Sequence, residues 1–195
     1  MDKFRFQTKE IIATIIGVAV IVLAKWAEVL LVANGTVPAW VFDWVRIRVL
    51  VVTIIAVFFG PTCGLLCGVG CNMLINVIFE SSIIYPEAFV LGVYGLIVGL
   101  YYGKTHYDPK HFGIKDFFVF NAVQIMATIV CALFFVPLLR FLTEGSDVFN
   151  EVSAGAKRSL GNAVIIGIVC PFIMLMVKCV RRNGREQDRS IDTML

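Results

Sequence analysis

A chain of 195 residues that is 59% hydrophobic and 16% charged, against roughly a quarter charged in an average soluble domain, has more apolar surface than a soluble fold can hide. Its formal net charge of +3 is small, and the basic residues gather at the ends of apolar stretches. That distribution is a topology signal and gives no footprint for nucleic acid.

Six long apolar stretches predict an all-α integral membrane protein, a six-transmembrane-helix bundle over residues 1–180 in the lipid bilayer of a bacterial plasma membrane. The first helix is expected over 9–33, too long for a secretory leader. Small residues Ala13 and Gly17 sit four apart in it, and Lys25 and Glu28 lie near its end. Helix 2 is expected over 42–59, opening with Asp43, Arg46 and Arg48, and Gly60-Pro61 joins it to helix 3 over 61–79. Proline is tolerated in a first helical turn, so this pair reads as a tight helical hairpin. Helix 3 carries Gly64 and Gly68 beside Cys63, Cys67 and Cys71, a small face expected to pack within the chain, and ends with Asn72, Asn76 and Glu80.

Helix 4 is expected over 86–103, with Glu87 early, and helix 5 over 116–140, disturbed near its end by Pro137. Helix 6, over 158–180, opens with Lys157, Arg158 and Asn162 and holds Pro171. Residues 181–195 read as a flexible basic tail. One side of the membrane collects eleven Lys and Arg between Lys3 and Arg189, the other only Arg46, Arg48, Arg140, Lys157 and Arg158. The eleven-residue side is expected to be cytoplasmic, which puts both termini there and the loops 34–41, 80–85 and 141–157 outside.

Polar side chains at membrane depth are costly and mark partners or wet cavities. Nearly all of those above fall toward the outer half, level with Trp26, Trp40, Trp44 and Tyr85. An outward-opening pocket of this kind suits a small, flat, hydrogen-bonding ligand, because indole faces stack on rings while amides and charges set orientation. The candidate substrate-binding residues are Lys25, Trp44, Arg46, Asn72, Asn76, Glu80 and Asn162. The bland alternative is an interfacial aromatic belt with Lys25 paired to Glu28 at i,i+3. Asn72 and Asn76 share a helical face and have no belt role.

Nothing supports catalysis. Three thiols on one straight helix cannot surround a tetrahedral ion, so no metal is expected, and His106 and His111 fall in a polar loop. Gly103-Lys104-Thr105 looks like the end of a phosphate-binding loop, but Val98 stands where its first glycine belongs. No cofactor is expected.

Three stretches carry a family likeness: Ala13-Thr-Ile-Ile-Gly17-Val-Ala19, Val57-Phe-Phe-Gly60-Pro61-Thr-Cys-Gly64 and Gly92-Val-Tyr-Gly95-Leu-Ile-Val-Gly99. Over about residues 8–180 the chain resembles the substrate-binding S-components of energy-coupling factor (ECF) vitamin importers, nearest the riboflavin-type branch. The resemblance implies capture of a vitamin or related heteroaromatic micronutrient from outside, riboflavin-like as first candidate. It also implies a transmembrane coupling subunit and two ATPase subunits as partners, with Ala13 and Gly17 at the coupling contact. Asn72 and Asn76 stand where related sequences carry histidine and aspartate, and Lys25 where they carry arginine, so what the resemblance implies of the ligand stops at a small heteroaromatic nutrient. Rival readings are a non-catalytic membrane scaffold, which predicts no stoichiometric small molecule, and an intramembrane lipid-modifying enzyme, which lacks a visible nucleophile.

Overall fold

The computed structural model describes residues 8–38, 41–42, 46–80, 85–102, 113–145 and 147–192, with residues 80, 85, 144, 154, 157, 158 and 180–192 as backbone only. Helices α1 (Thr8–Ala33), α2 (Ile47–Phe59), α3 (Pro61–Ile75), α4 (Tyr85–Tyr101), α5 (Ile114–Ile129), α6 (Val136–Glu144) and α7 (Val148–Asp192) make up the described chain, and no strand occurs in it. Four apolar stretches are long enough to cross a membrane: Thr8–Ala33, Pro61–Phe79, Ile114–Thr143 and Ser159–Cys179. Helix α2 has 13 residues, about 20 Å at 1.5 Å per residue, short of a hydrocarbon core of about 30 Å.

Without a hydrophobic drive between helices in lipid, association depends on close backbone packing, and the sequence supplies it with glycine. A Cβ placed on Gly64 would lie 2.7 Å from the carbonyl oxygen of Gly95, and one on Gly95 would lie 2.5 Å from that of Gly64. Helices α3 and α4 therefore touch backbone to backbone, with Gly68 against Leu91 and Gly99 against Pro61 continuing the contact. The small face of α3 is used inside the chain, the partner favoured over a separate subunit, a choice that spacing alone does not make. Cys63, Cys67 and Cys71 are buried along it as free thiols, Cys67 filling the space beside Gly17 of α1. Helix α1 buries only Ala13, Gly17 and Ile21, a stripe of period four, and leaves Ile15 and Leu23 each 62% exposed. Those outward residues face lipid in a membrane-spanning chain.

The hairpin between α2 and α3 turns on Gly60, whose φ of +97° and ψ of 178° lie in a region open essentially to glycine alone. Pro61 then starts α3 at no cost, since its missing N–H is one the helix start would leave unpaired. Gly60→Ala is expected to destabilise the chain by about 1–3 kcal/mol through this strain, read as a lower melting temperature of the detergent-purified protein. An unchanged melting temperature would mean that the turn can adopt another path.

Several boundaries differ from the sequence expectation. The fifth stretch does not stop near residue 140. A π-helical segment, Val130–Phe135, lets the Val136 N–H reach the carbonyl of Cys131, five residues back, and α6 carries the helix past Pro137 to Glu144. The last helix starts at Val148 rather than near 158, so most of the expected loop 141–157 is helical. Asp147 explains the early start: its Oδ1 accepts the Phe149 N–H at 3.1 Å and its Oδ2 accepts from the Asn150 side chain at 3.0 Å, an N-terminal cap. Helix α7 also runs on through Asp192, so the residues read as a flexible tail from 181 continue it as helix to that point. It is tied to α5 by amides. Gln124 Nε2 donates to the Ala163 carbonyl at 3.0 Å and Asn121 Nδ2 to that of Gly167 at 3.3 Å.

Candidate functional site

The start of α2, the end of α3, the start of α4, the end of α6 and the start of α7 meet at one end of the bundle, and charged side chains converge there. Glu87, at the start of α4, is the common partner. Its Oε1 accepts from Arg140 Nη2 at 2.8 Å, while its Oε2 lies 3.6 Å from both Arg46 Nη1 and Arg48 Nη2. Arg140 also donates through Nη1 to Glu151 of α7 at 2.9 Å. Three guanidiniums from two segments of chain thus share two carboxylates, all between 16% and 23% exposed. Amides fix the arginines in turn. Arg48 Nη1 donates to Asn72 Oδ1, and the Arg46 backbone N–H donates to Asn162 Oδ1 at 3.0 Å.

Beneath this cluster lies a cavity of about 110 Å³, with Arg46, Arg48, Asn72 and Glu87 on one wall and Glu151, Ser159 and Asn162 of α7 on the other. Val90, Leu91 and Tyr94 line its apolar part, and the Tyr94 hydroxyl is held 3.0 Å from Thr53 Oγ1 in the buried core. A mostly apolar cavity with a few fixed polar groups is the usual form of a small-molecule site. A second cavity, about 190 Å³, lies on the far side of the same arginines, between α1 and α2, and is lined by Lys25, Glu28, Arg46 and Arg48.

Of the residues expected in the site, Arg46, Asn72 and Asn162 are brought together at the first cavity and Lys25 stands in the second. Lys25 Nζ bonds Glu28 Oε1 at 2.7 Å, the i,i+3 pair that its spacing allows. Asn76 is buried, 1% exposed, one helical turn beyond Asn72, and lines neither cavity. Trp44 and the side chain of Glu80 lie outside the described residues, as do Trp40, Asp43, His106, His111 and the side chains of Tyr85, Lys157 and Arg158. Ala13 and Gly17 turn into the bundle, where a Cβ on Gly17 would come within 2.9 Å of Ile55 Cγ1 and 3.1 Å of Cys67 Sγ. In the isolated chain their small size serves the contact of α1 with α2 and α3.

The site also contains residues the candidate set omits. Arg48 and Glu87 are visible in the sequence as polar groups at the same depth. Arg140 and Glu151 read there only as a helix end and a loop, because their meeting depends on α7 starting at Val148. The Asp147 cap, with Glu151 in the first turn behind it, is the signal that would have placed them.

A family model, ECF-type riboflavin transporter S component, matches residues 5–179. The chain belongs to this family. It is therefore a multi-pass membrane component of an ECF-type transporter, a substrate-binding subunit and not an enzyme. Among similar curated proteins are a UPF0397 protein of Clostridium perfringens (strain SM101 / Type A), 25% identical over 171 residues, 87% of this chain and 88% of that one. Another is a UPF0397 protein of Exiguobacterium sp., 26% identical over 187 residues, 94% and 97% of the two chains. A third, from Lactobacillus helveticus, is 25% identical over 175 residues, 89% and 91% of the two. No solved structure matches. The S-component assignment fits a cavity with fixed polar groups at its rim near one end of an apolar helical bundle.

Proposed function

We propose that this S component captures a vitamin or related heteroaromatic micronutrient from outside the cell and delivers it through a coupling subunit driven by two ATPase subunits. The observation that carries the reading is the cavity between α4 and α7, whose polar rim is held in place by the hydrogen bonds of Arg48 to Asn72 and of the Arg46 backbone to Asn162. Six spans with cytoplasmic termini, the orientation that the Lys and Arg distribution supports, open this end outward. Arg46, Asn72 and Asn162 contact the ligand, with Lys25, Trp44, Asn76 and Glu80 in the surrounding shell. Riboflavin is the first candidate from the family's description. A coupling contact at Ala13 and Gly17 requires α1 to move off Ile55 and Cys67, since both small residues are buried in the isolated chain.

The test is mass spectrometry of small molecules released on denaturing the purified protein, against a mock membrane preparation. One compound near one per chain is the expected result, and Asn72→Leu with Asn76→Leu is expected to remove it while the protein still accumulates. Repeated absence of any compound, with added riboflavin also failing to bind, would favour the scaffold reading. Binding unchanged in the double variant would take both asparagines out of the site.

A further inference from the structure

We propose that a groove between α4 and α5 holds one acyl chain of an anionic phospholipid whose phosphate sits at Lys115. It is a different place from the two cavities that flank Arg46 and Arg48.

Ile97, Leu100 and Tyr101 of α4 face Ala122, Val123 and Met126 of α5 across this groove, and Val130 lines its far end. Its volume is about 530 Å³, more than that of the other two cavities together, and its described lining carries no charged side chain. Leu100 and Met126 are each 60% exposed at the surface of the isolated chain. Helix α5 belongs to the apolar stretch Ile114–Thr143, long enough to cross a membrane, so the groove opens to the bilayer. What covers it there is lipid or another helix. Helices embedded in lipid approach through small residues four apart, as α3 and α4 do at Gly64 and Gly95. The row along this groove is Ala122, Met126 and Val130, with no second small residue to admit a backbone. A flexible hydrocarbon chain asks only for an apolar slot, and the unbranched Met126 side chain adapts to it. From Ala122 to Val130 the slot runs about 12 Å at the α-helical rise.

Charge then picks the lipid. The Tyr102 hydroxyl donates to the Asp116 carbonyl at 3.2 Å, and its ring meets that of Phe120 edge-on with centroids 5.4 Å apart. These contacts set the Tyr101 end of the groove beside the first turns of α5, where Lys115 stands. Lys115 precedes Ala122 by seven residues and Met126 by eleven, two and three turns, which puts it on the same helical face. About 10 Å of helix separates it from Ala122, a stretch that the glycerol and first acyl carbons of a phospholipid bridge. Lys115 is exposed and makes no ion pair among the described residues. Its neighbour Asp116 is turned back to the helix start, where Oδ2 accepts the Gly113 N–H at 2.8 Å. A long cationic side chain at the end of a membrane span reaches the headgroup layer, and there it complements a phosphate carried on the chain that fills the slot.

The experiment is native mass spectrometry of the full chain released from vesicles of equal parts phosphatidylglycerol and phosphatidylethanolamine. One retained phospholipid per chain is expected, with phosphatidylglycerol favoured about fivefold, the scale of one lysine at an anionic surface. Lys115→Gln should level the two lipids without releasing the chain-bound one. Ala122→Trp, which fills the slot from an exposed position, should remove it. No retained lipid, or equal retention of the two by the unaltered chain, would overturn the proposal. A preference untouched by Lys115→Gln would overturn the headgroup seat, and retention untouched by Ala122→Trp the acyl slot. A mass of two chains that Ala122→Trp reduces to one would assign the groove to a second copy instead. The unaltered chain also carries a test of its own: phosphatidylglycerol with a photoreactive acyl chain should crosslink within residues 97–101 and 122–130. Crosslinks confined to other segments would overturn the proposal even where a variant fails to fold.

Discussion

Glu87→Gln is expected to destabilise the chain by about 3 kcal/mol, because removing one member of a mostly buried ion cluster leaves the others uncompensated. At about 2–4 °C per kcal/mol for a chain of this size, the melting temperature should fall by about 6–12 °C. Glutamine keeps the shape and an acceptor for Arg140, which also retains Glu151 at 2.9 Å. What is lost is a carboxylate that Arg46, Arg48 and Arg140 have in common. Glu151→Gln removes a partner of Arg140 alone and should cost less than half as much. Thermal unfolding of the two variants in detergent checks the ranking. Equal effects would mean that Glu87 is no more central than Glu151.

The second large effect is expected at the contact of α3 and α4. Gly95→Ala puts a Cβ 2.5 Å from the Gly64 carbonyl oxygen and 2.7 Å from its carbon, and backbone atoms cannot rotate away as a side chain would. The helices must separate along the seam, and a cost of about 3 kcal/mol, the upper end for overpacking, is expected. Gly70→Ala serves as the control: its Cβ would meet only Val18 Cγ2, at 3.8 Å. Alanine there should leave stability unchanged or raise it by up to about 1 kcal/mol through better helix propensity. Membrane accumulation and melting temperature of both variants test the pair. A tolerated Gly95→Ala would show that the seam has slack.

Much of this architecture is legible in the sequence because lipid imposes simple rules. Apolar stretches of fixed length mark the helices, Gly60-Pro61 marks a hairpin, and glycine at intervals of three and four marks faces that approach closely. Arg46, Asn72 and Asn162 could be gathered at one end of the bundle from depth alone, and they line one cavity there, since helices of known direction bring residues at equal depth together. Two things escaped. Lateral position is not encoded by depth, so Asn76 reads like Asn72 although it lies off the cavity. Helix starts set by a polar cap are also hard to see beside a strong hydropathy signal. Asp147 starts α7 eleven residues ahead of its apolar stretch, and that extension carries Glu151 to Arg140. The small face of α1 shows a further limit. Spacing announces that Ala13 and Gly17 meet something closely, but not that Ile55 and Cys67 are what they meet.

Helix α7 forms one wall of the cavity with Glu151, Ser159 and Asn162 and then continues for thirty residues to Asp192, about 45 Å at the α-helical rise. A rod of that length converts a small rotation at its cavity-lining end into a larger sweep at the other. Pro171, inside the helix, removes one backbone hydrogen bond and gives the rod its most compliant point, close to the middle. Any movement of α7 at the cavity would therefore act on a lever whose fulcrum the sequence has already marked.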